Sequence, residues 1–119
     1  MATGRMRRVD EAVRQVIGDA VAAELKDPRV GFVTVTDVRT SPDLRHARVY
    51  VSVLGPDGGS AAVQEREDTL AGLRSAHGFL QGKVADELHL KRTPALEFVY
   101  DDTTDRAMRL ERLIAEQRP

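Results

Sequence analysis

The chain has 119 residues, 41% hydrophobic and 31% charged, with a formal net charge of −1 and no cysteine. This is the size and composition of one globular domain that can fold without staples, and it excludes a disulfide framework, a thiol nucleophile, an iron–sulfur cluster and a thiolate zinc site. No run approaches the roughly 20 apolar residues of a membrane span, and the basic start, Met1 to Asp10, leads into no apolar stretch, so neither a membrane anchor nor a secretory signal is expected and the cytoplasm is the expected compartment.

The spacing predicts a first helix over Val9 to Lys26, where Val9, Ala12, Val13, Val16, Ile17, Ala20 and Val21 build one apolar stripe. Asp27-Pro28 stops it, because the residue before proline disfavours the helical region. Phe32 to Val38 alternates, with Val33 and Val35 on one face and Thr34 and Thr36 on the other. Ser41-Pro42-Asp43 is turn chemistry. Ala47, Val49, Val51 and Val53 then face inward while Arg48, Tyr50 and Ser52 face outward, which completes an antiparallel pair. Gly55 to Ser60 reads as a loop. From residue 61 to 89 a helical stripe runs through Val63, Leu70, Leu73, His77, Leu80, Val84 and Leu88. Gly78 and Gly82 interrupt it, each costing up to ~1 kcal/mol in a helix interior, so a break is expected near residue 78. Leu96 to Tyr100 is a third strand. Asp102 or Thr103 caps a last helix whose apolar side carries Ala107, Leu110, Leu113 and Ile114. Helices can cover only one face of so small a sheet, which predicts a two-layer α+β domain with a polar, exposed second face.

Charge is unevenly spread. Residues 1–50 carry nine basic and seven acidic groups, and residues 51–119 nine and twelve. Fifteen of the eighteen basic residues are arginine. Arginine suits bidentate phosphate contacts, and a GC-rich gene gives the same bias. Arg5, Arg7 and Arg8 precede the first helix. Arg39, Arg45 and Arg48 flank the hairpin turn, and Arg74, Lys83, Lys91 and Arg92 flank or follow the broken helix. Each alone reads as a solvated surface charge. Grouped on one face they make a phosphate-binding surface that fixes register without reading bases. With aromatics at 4%, recognition by shape and backbone is favoured over base stacking, for which Tyr50 is the one exposed candidate on the sheet.

Catalytic and metal chemistry find little support. His46, His77 and His89 lack ligand spacing; His77 falls on the apolar stripe as a packing residue, and His46 and His89 are surface positions. Asp101, Asp102 and Asp105 run from a strand into a helix start, where carboxylates favour the helix dipole. Gly55 to Gly58 matches the GxxG string of phosphate-clamping KH loops, but it follows a strand where that loop joins two helices. The helix–helix junction itself is Ser75-Ala76-His77-Gly78, either a plain kink or a modified KH-type turn whose helix N-terminus meets phosphate. No nucleophile elbow and no Ser/His/Asp set appear. No enzyme, no cofactor and no metal are expected.

From about Arg5 to Ile114 the chain resembles the ribosome-binding factor A family. Arg8-Val9 resembles the opening of its first helix. Asp27-Pro28-Arg29-Val30-Gly31 followed by Val33-Thr34-Val35-Thr36 is similar to its most recognisable block, and Val38, Ser41, Asp43-Leu44 and Ala47 to Ser52 continue it in register. Ala76-His77-Gly78 matches the family's AxG turn, which replaces GxxG. Leu88 to Pro94, Leu96 and Phe98 match the approach to the third strand, and Tyr100 to Thr103 with Met108 to Leu110 match the closing segment. Two departures stand out: Gln81 where the family more often has Arg, and Ala107 where Gly is commoner.

The resemblance implies a type II KH-like domain, order α-β-β-α-α-β plus a C-terminal helix, with helices on one face of a three-stranded sheet. The basic arm is then 1–8, the domain 9–116 and the C-terminal end 117–119. It implies non-catalytic binding to the free 30S subunit late in its maturation, near the 5′ end of 16S rRNA. Support of precursor rRNA processing, a part in cold adaptation and release by a ribosome-associated GTPase come with it. The expected RNA-contact residues are Arg5, Arg7, Arg8, Arg45, Arg48, Lys83, Lys91 and Arg92, with Ala76, His77 and Gly78 placing a helix N-terminus. A monomer is expected. The rival reading is a KH-like protein-interaction module whose acidic half docks a basic ribosomal protein without touching RNA.

Overall fold

The stripe of the first helix and the alternation of the strands settle the architecture. The computed structural model describes residues 4–55 and 61–117, apart from the side chains of 104–109 and 117. Among the described residues four helices and three strands follow in the expected order. Helix α1 (Gly4–Ala23) buries Val13, Ile17, Ala20 and Val21 against the sheet. It begins earlier than its apolar stripe, so Arg5, Arg7 and Arg8 occupy helical turns, and it ends before Asp27-Pro28.

Strands β1 (Phe32–Thr40) and β2 (His46–Leu54) pair antiparallel, from Phe32 opposite Leu54 to Thr40 opposite Ala47. Strand β3 (Ala95–Tyr100) pairs with β2 in parallel. A parallel neighbour needs a long crossover, and helices α2 (Val63–Ser75) and α3 (His77–Leu88) supply it. The three-stranded sheet has the order β1-β2-β3. Its inner face contributes Val35, Val38, Ala47, Val49, Val51 and Phe98 to a core shared with Leu70, Leu73, Leu80 and Val84 of the crossover helices. Each such side chain, fully buried, is worth about 1.5–3 kcal/mol.

The alternation of β1 breaks once. Val35 faces Val51 and Asp37 faces Tyr50, so Thr36 is the extra residue of a β-bulge. Beyond it the phase is reversed: Val38 and Thr40 turn inward and Arg39 outward. The Thr36 hydroxyl donates to Asp101 Oδ2 at 2.7 Å, which anchors the bulge to the end of β3. At the free edge of β3, Arg74 Nη2 donates to the Phe98 carbonyl at 3.2 Å and the Arg66 guanidinium lies 4.4 Å from the Tyr100 ring centre. Both cover an edge that would otherwise invite pairing.

The break expected near residue 78 falls at Ala76 (φ −92°, ψ 8°), inside the Ser75–Gly78 junction. Other expectations need correction. Gly78 and Gly82 lie inside α3 with open space where a Cβ would stand. Packing does require a glycine at Gly72, since a Cβ there would sit 2.7 Å from Val30 Cγ2. His77 is exposed rather than packed, and Val63 is 70% exposed: each is the first residue of its helix, and the buried stripe begins further on, at Leu80 in α3 and at Thr69 and Leu70 in α2. At the start of helix α4 (Thr103–Gln117) the Asp101 carboxylate accepts from the Thr103 N–H at 3.0 Å. Leu110, Leu113 and Ile114 are 58%, 50% and 46% exposed, so this side of α4 is not packed on the sheet. The rest of the Gly55–Ser60 loop beyond Gly55, and the side chains of Asp105 and Ala107, lie outside the described residues.

Candidate nucleic-acid interface

The expected contact residues divide between two ends and one face of the domain. At the hairpin end the turn is held by its own polar groups. Ser41 N–H donates to the His46 carbonyl at 2.8 Å, and the Asp43 carboxylate accepts from Ser41 Oγ at 2.6 Å and from the Arg45 N–H at 3.0 Å. These contacts hold the Asp43 carboxyl below its usual range, the Ser41 hydroxyl most of all. Leu44 accordingly takes a left-handed conformation (φ 59°), which a leucine adopts only when its neighbours enforce it. The turn thereby presents Arg45 to solvent at the mouth of β2.

Two other segments reach the same end. The Ala95 N–H donates to the Arg45 carbonyl at 2.8 Å, so the connection carrying Lys91 and Arg92 enters the sheet beside the hairpin turn. Both side chains are exposed. That connection starts at His89, whose left-handed conformation (φ 48°) ends α3. The first turns of α1 lie there too, because Asp10 Oδ1 accepts from the Thr40 N–H at 2.9 Å and from its hydroxyl at 2.6 Å. A cleft of about 590 Å³ between α1 and β1 is lined by Arg7, Asp10, Arg14, Arg39 and Pro42 among others. Arg14 is paired with Glu11. Arg5, Arg7 and Arg8 are exposed on α1. Six of the expected residues, Arg5, Arg7, Arg8, Arg45, Lys91 and Arg92, thus share one end.

The Ala76 junction sits at the other end. Gly72 packs on Arg29 and Val30, in the connection from α1 to β1, and Arg29 Nη2 donates to Ser75 Oγ at 3.1 Å. Charges here are largely matched. Arg29 pairs with Asp27 at 2.7 Å and holds that carboxyl down at about 2. Lys83 Nζ pairs with Glu24 at 2.8 Å, which raises the ammonium's pKa, and lies 5.6 Å from the Phe79 ring centre. What the junction offers is backbone: the first turn of α3, with His77 and Gly78 exposed and His77 Nδ1 3.0 Å from the Arg74 carbonyl. Amides at a helix start suit an anion.

Arg48 belongs to neither end. It lies on the uncovered sheet face, directly across from Arg39. Sequence reasoning counts Arg39 among the basic groups but does not rank it as a contact. The bulge that turns it outward has only one signal in the sequence, the failure of Val38 to keep the phase of Val33 and Val35.

Among the described residues no group of three or more histidines or carboxylates could hold a metal ion, and no helix is long and apolar enough to cross a membrane. The build defines a class: a two-layer α+β domain that carries its charge on exposed ends and faces. Residues 5–114 match the family model for ribosome-binding factor A, and the chain belongs to that family. It is similar to the crystal structure of ribosome-binding factor A from Thermus thermophilus, at 28% identity over 80% of this chain and 94% of that one, with a TM-score of 0.66. It is also similar to the solution NMR structure of a Thermotoga maritima protein assigned to ribosome binding factor A, at 31% identity over 83% and 89% of the two chains, with a TM-score of 0.69. A third similar structure is the Thermus thermophilus factor as fitted into a cryo-electron-microscopy map of a 30S complex, at 29% identity over 79% and 92%, with a TM-score of 0.61.

Proposed function

We propose that this chain binds the free small ribosomal subunit in the cytoplasm during late maturation. It acts by occupying a site on 16S rRNA, near the 5′ end, and not by chemistry of its own. Precursor processing is then supported because the bound factor holds the RNA in a shape that the processing enzymes accept. Release by a ribosome-associated GTPase and a part in cold adaptation belong to the same reading. The observation that carries it is the convergence of Arg5, Arg7, Arg8, Arg45, Lys91 and Arg92 at the hairpin end from three separate segments of chain. Side chains on α1, a turn and a loop can meet several phosphates of a folded RNA at once, which gives affinity without base reading. The Ala76–Gly78 turn adds backbone amides at the far end, and the matched pairs around it make it the minor partner. The complex fitted for the Thermus thermophilus relative supports the choice of the 30S subunit.

The test is co-sedimentation of the chain with free small subunits, large subunits and whole ribosomes over a salt series. Selective, salt-sensitive binding to free small subunits is expected. Salt-insensitive capture of a basic ribosomal protein without RNA would favour the interaction-module reading instead.

A further inference from the structure

The sheet face turned away from the helices carries an arrangement that folding alone does not explain. The bulge at Thr36 rephases β1 so that Arg39 stands directly across the ladder from Arg48. Both are well exposed, at 75% and 54% of the side chain. Like charges directly opposite in a ladder oppose pairing, and without the bulge Arg39 would turn inward. Asp37 lies 3.1 Å from Arg39, which also feels the charge of Asp10, and Glu97 lies 3.7 Å from Arg48, which also meets the Tyr50 hydroxyl. Exposed pairs of this kind are weak and exchange readily for a better anion. His46 and Tyr50 lie on the same face of β2, one on either side of Arg48 along the strand. Together with Thr40, Ser41 and Glu97 these residues line a shallow depression of about 350 Å³.

We propose that this face is a second binding platform, for single-stranded RNA, with a phosphate between Arg39 and Arg48 and a base against Tyr50. The inference rests on the reading of the chain as an RNA-bound factor, and adds the sheet face, which adjoins the hairpin end at Ser41 and His46. The chemistry selects the ligand. Two guanidiniums facing each other across a ladder recognise a phosphate oxygen pair. An aromatic ring beside them takes a base face, which a single strand offers and a duplex hides in its stack. An acidic peptide would satisfy the arginines but leave Tyr50 unused. With phosphate contacts on its end and a platform on its sheet, the domain can hold two RNA segments at once, and so fix their relative placement.

The test uses the full chain and two ligands. One is a labelled single-stranded RNA of about ten nucleotides and mixed sequence, followed by fluorescence anisotropy over a salt series; the other is the free small subunit, followed by co-sedimentation. R39A/R48A should weaken oligonucleotide binding about tenfold or more and flatten the salt slope by about 0.7, the share of the one single-strand phosphate held between them. Y50L should weaken it about tenfold with the slope unchanged. E97Q should tighten it about two- to fivefold, since a competing carboxylate is gone. The gain in E97Q is a result that damaged folding would not give. The R39A/R48A melting temperature should not fall, because a like-charged pair has been removed. Wild-type affinity and slope in R39A/R48A would overturn the platform. So would a duplex of the same length binding as tightly as the single strand, or an acidic peptide displacing the RNA at equal concentration. If the wild-type chain binds the oligonucleotide but no small subunit, the platform stands and the ribosomal reading falls; if it binds neither, both fall.

Discussion

At the hairpin end a helix is fastened to the sheet by a carboxylate, and the basic side chains around it are mostly left to solvent. At the junction end a helix is fastened to a loop by bare contact at a glycine, and the basic side chains there are taken up by acidic neighbours. Asp10 accepts two hydrogen bonds from Thr40 at the first end; Gly72 lies against Val30 at the second. Arg29 and Lys83 are held in partly covered pairs at 2.7 and 2.8 Å, whereas Arg45, on a turn held by Ser41 and Asp43, has only a 3.9 Å pair with Asp43 and stays well exposed. The two ends therefore divide the work: one is built for affinity, the other for shape.

Charge removal at the hairpin end breaks the comparison most severely. R7A/R8A/K91A/R92A should weaken small-subunit binding roughly a hundredfold and reduce the salt slope by up to about four, one for each phosphate that is no longer neutralised. All four side chains are exposed, so the melting temperature should stay within a few degrees. Co-sedimentation over a salt series and a thermal scan read the two effects apart. An unchanged slope would remove this end from the interface.

The fastenings themselves come next. Gly72→Ala forces Val30 to give way, at a cost of about 1–3 kcal/mol. Asp10→Ala leaves the Thr40 N–H and hydroxyl without their acceptor in a nearly closed site, at about the same cost. For a domain of this size each would lower the melting temperature by roughly 4–8 °C per kcal/mol. The difference between them is in binding. D10A should also weaken RNA binding, because α1 and its arginines lose their anchor, while G72A should leave binding per folded molecule unchanged. Equal losses of affinity in both would show that the ends are not independent.

Acid should act on the junction end through Asp27. The Asp27 carboxyl is held at about 2, chiefly by hydrogen bonds from the Arg29 side chain and backbone, against an ordinary 3.8. The folded state therefore binds this proton more weakly than the unfolded chain does. The stabilisation is complete above pH ~4 and is lost as pH falls towards ~2. Melting temperatures from pH 5 to pH 2 should fall for the wild type and fall less for Asp27→Asn, with the two curves converging at the acid limit. Parallel curves would show that Asp27 gives nothing to stability.

Most of this architecture is legible in the sequence because burial on a helix or strand leaves a period. The inward set Ala47, Val49, Val51 and Val53 can be read in full, since β2 is regular from end to end. The bulge in β1 cannot, because one inserted residue looks like one mismatched residue until the partner strand shows the register. The break near residue 78 is legible because glycine marks a weak helix, although the turn itself is taken by Ala76 with an ordinary negative φ. His77 and Val63 keep the period of their own helices and are exposed all the same, because each opens its helix and the core begins further along. For α4, periodicity reveals an apolar side but not whether anything meets it. The site is legible as a set of basic residues and not as a place. That Lys91, Arg45 and Arg7 converge, while Lys83 is tied to Glu24, depends on which end of the sheet each segment reaches, and no local pattern encodes that.

The smallest expected effect bears on whether the junction end touches RNA at all. Gly78 lies in the first turn of α3, with nothing near the position a Cβ would take. An aspartate there meets no clash, replaces the residue that costs a helix most backbone entropy, and puts a carboxylate where the helix dipole favours one. Gly78→Asp should therefore stabilise the fold, by about 0.5–1 kcal/mol. The same carboxylate would repel a phosphate held by the first amides of α3. If the junction is a minor contact, G78D should raise the melting temperature and weaken small-subunit binding severalfold, far less than the quadruple change at the hairpin end. A more stable variant with undiminished affinity would confine the interface to the hairpin end and the sheet, and would leave the Ala76 turn as a device for packing two helices with one glycine, Gly72, against Val30.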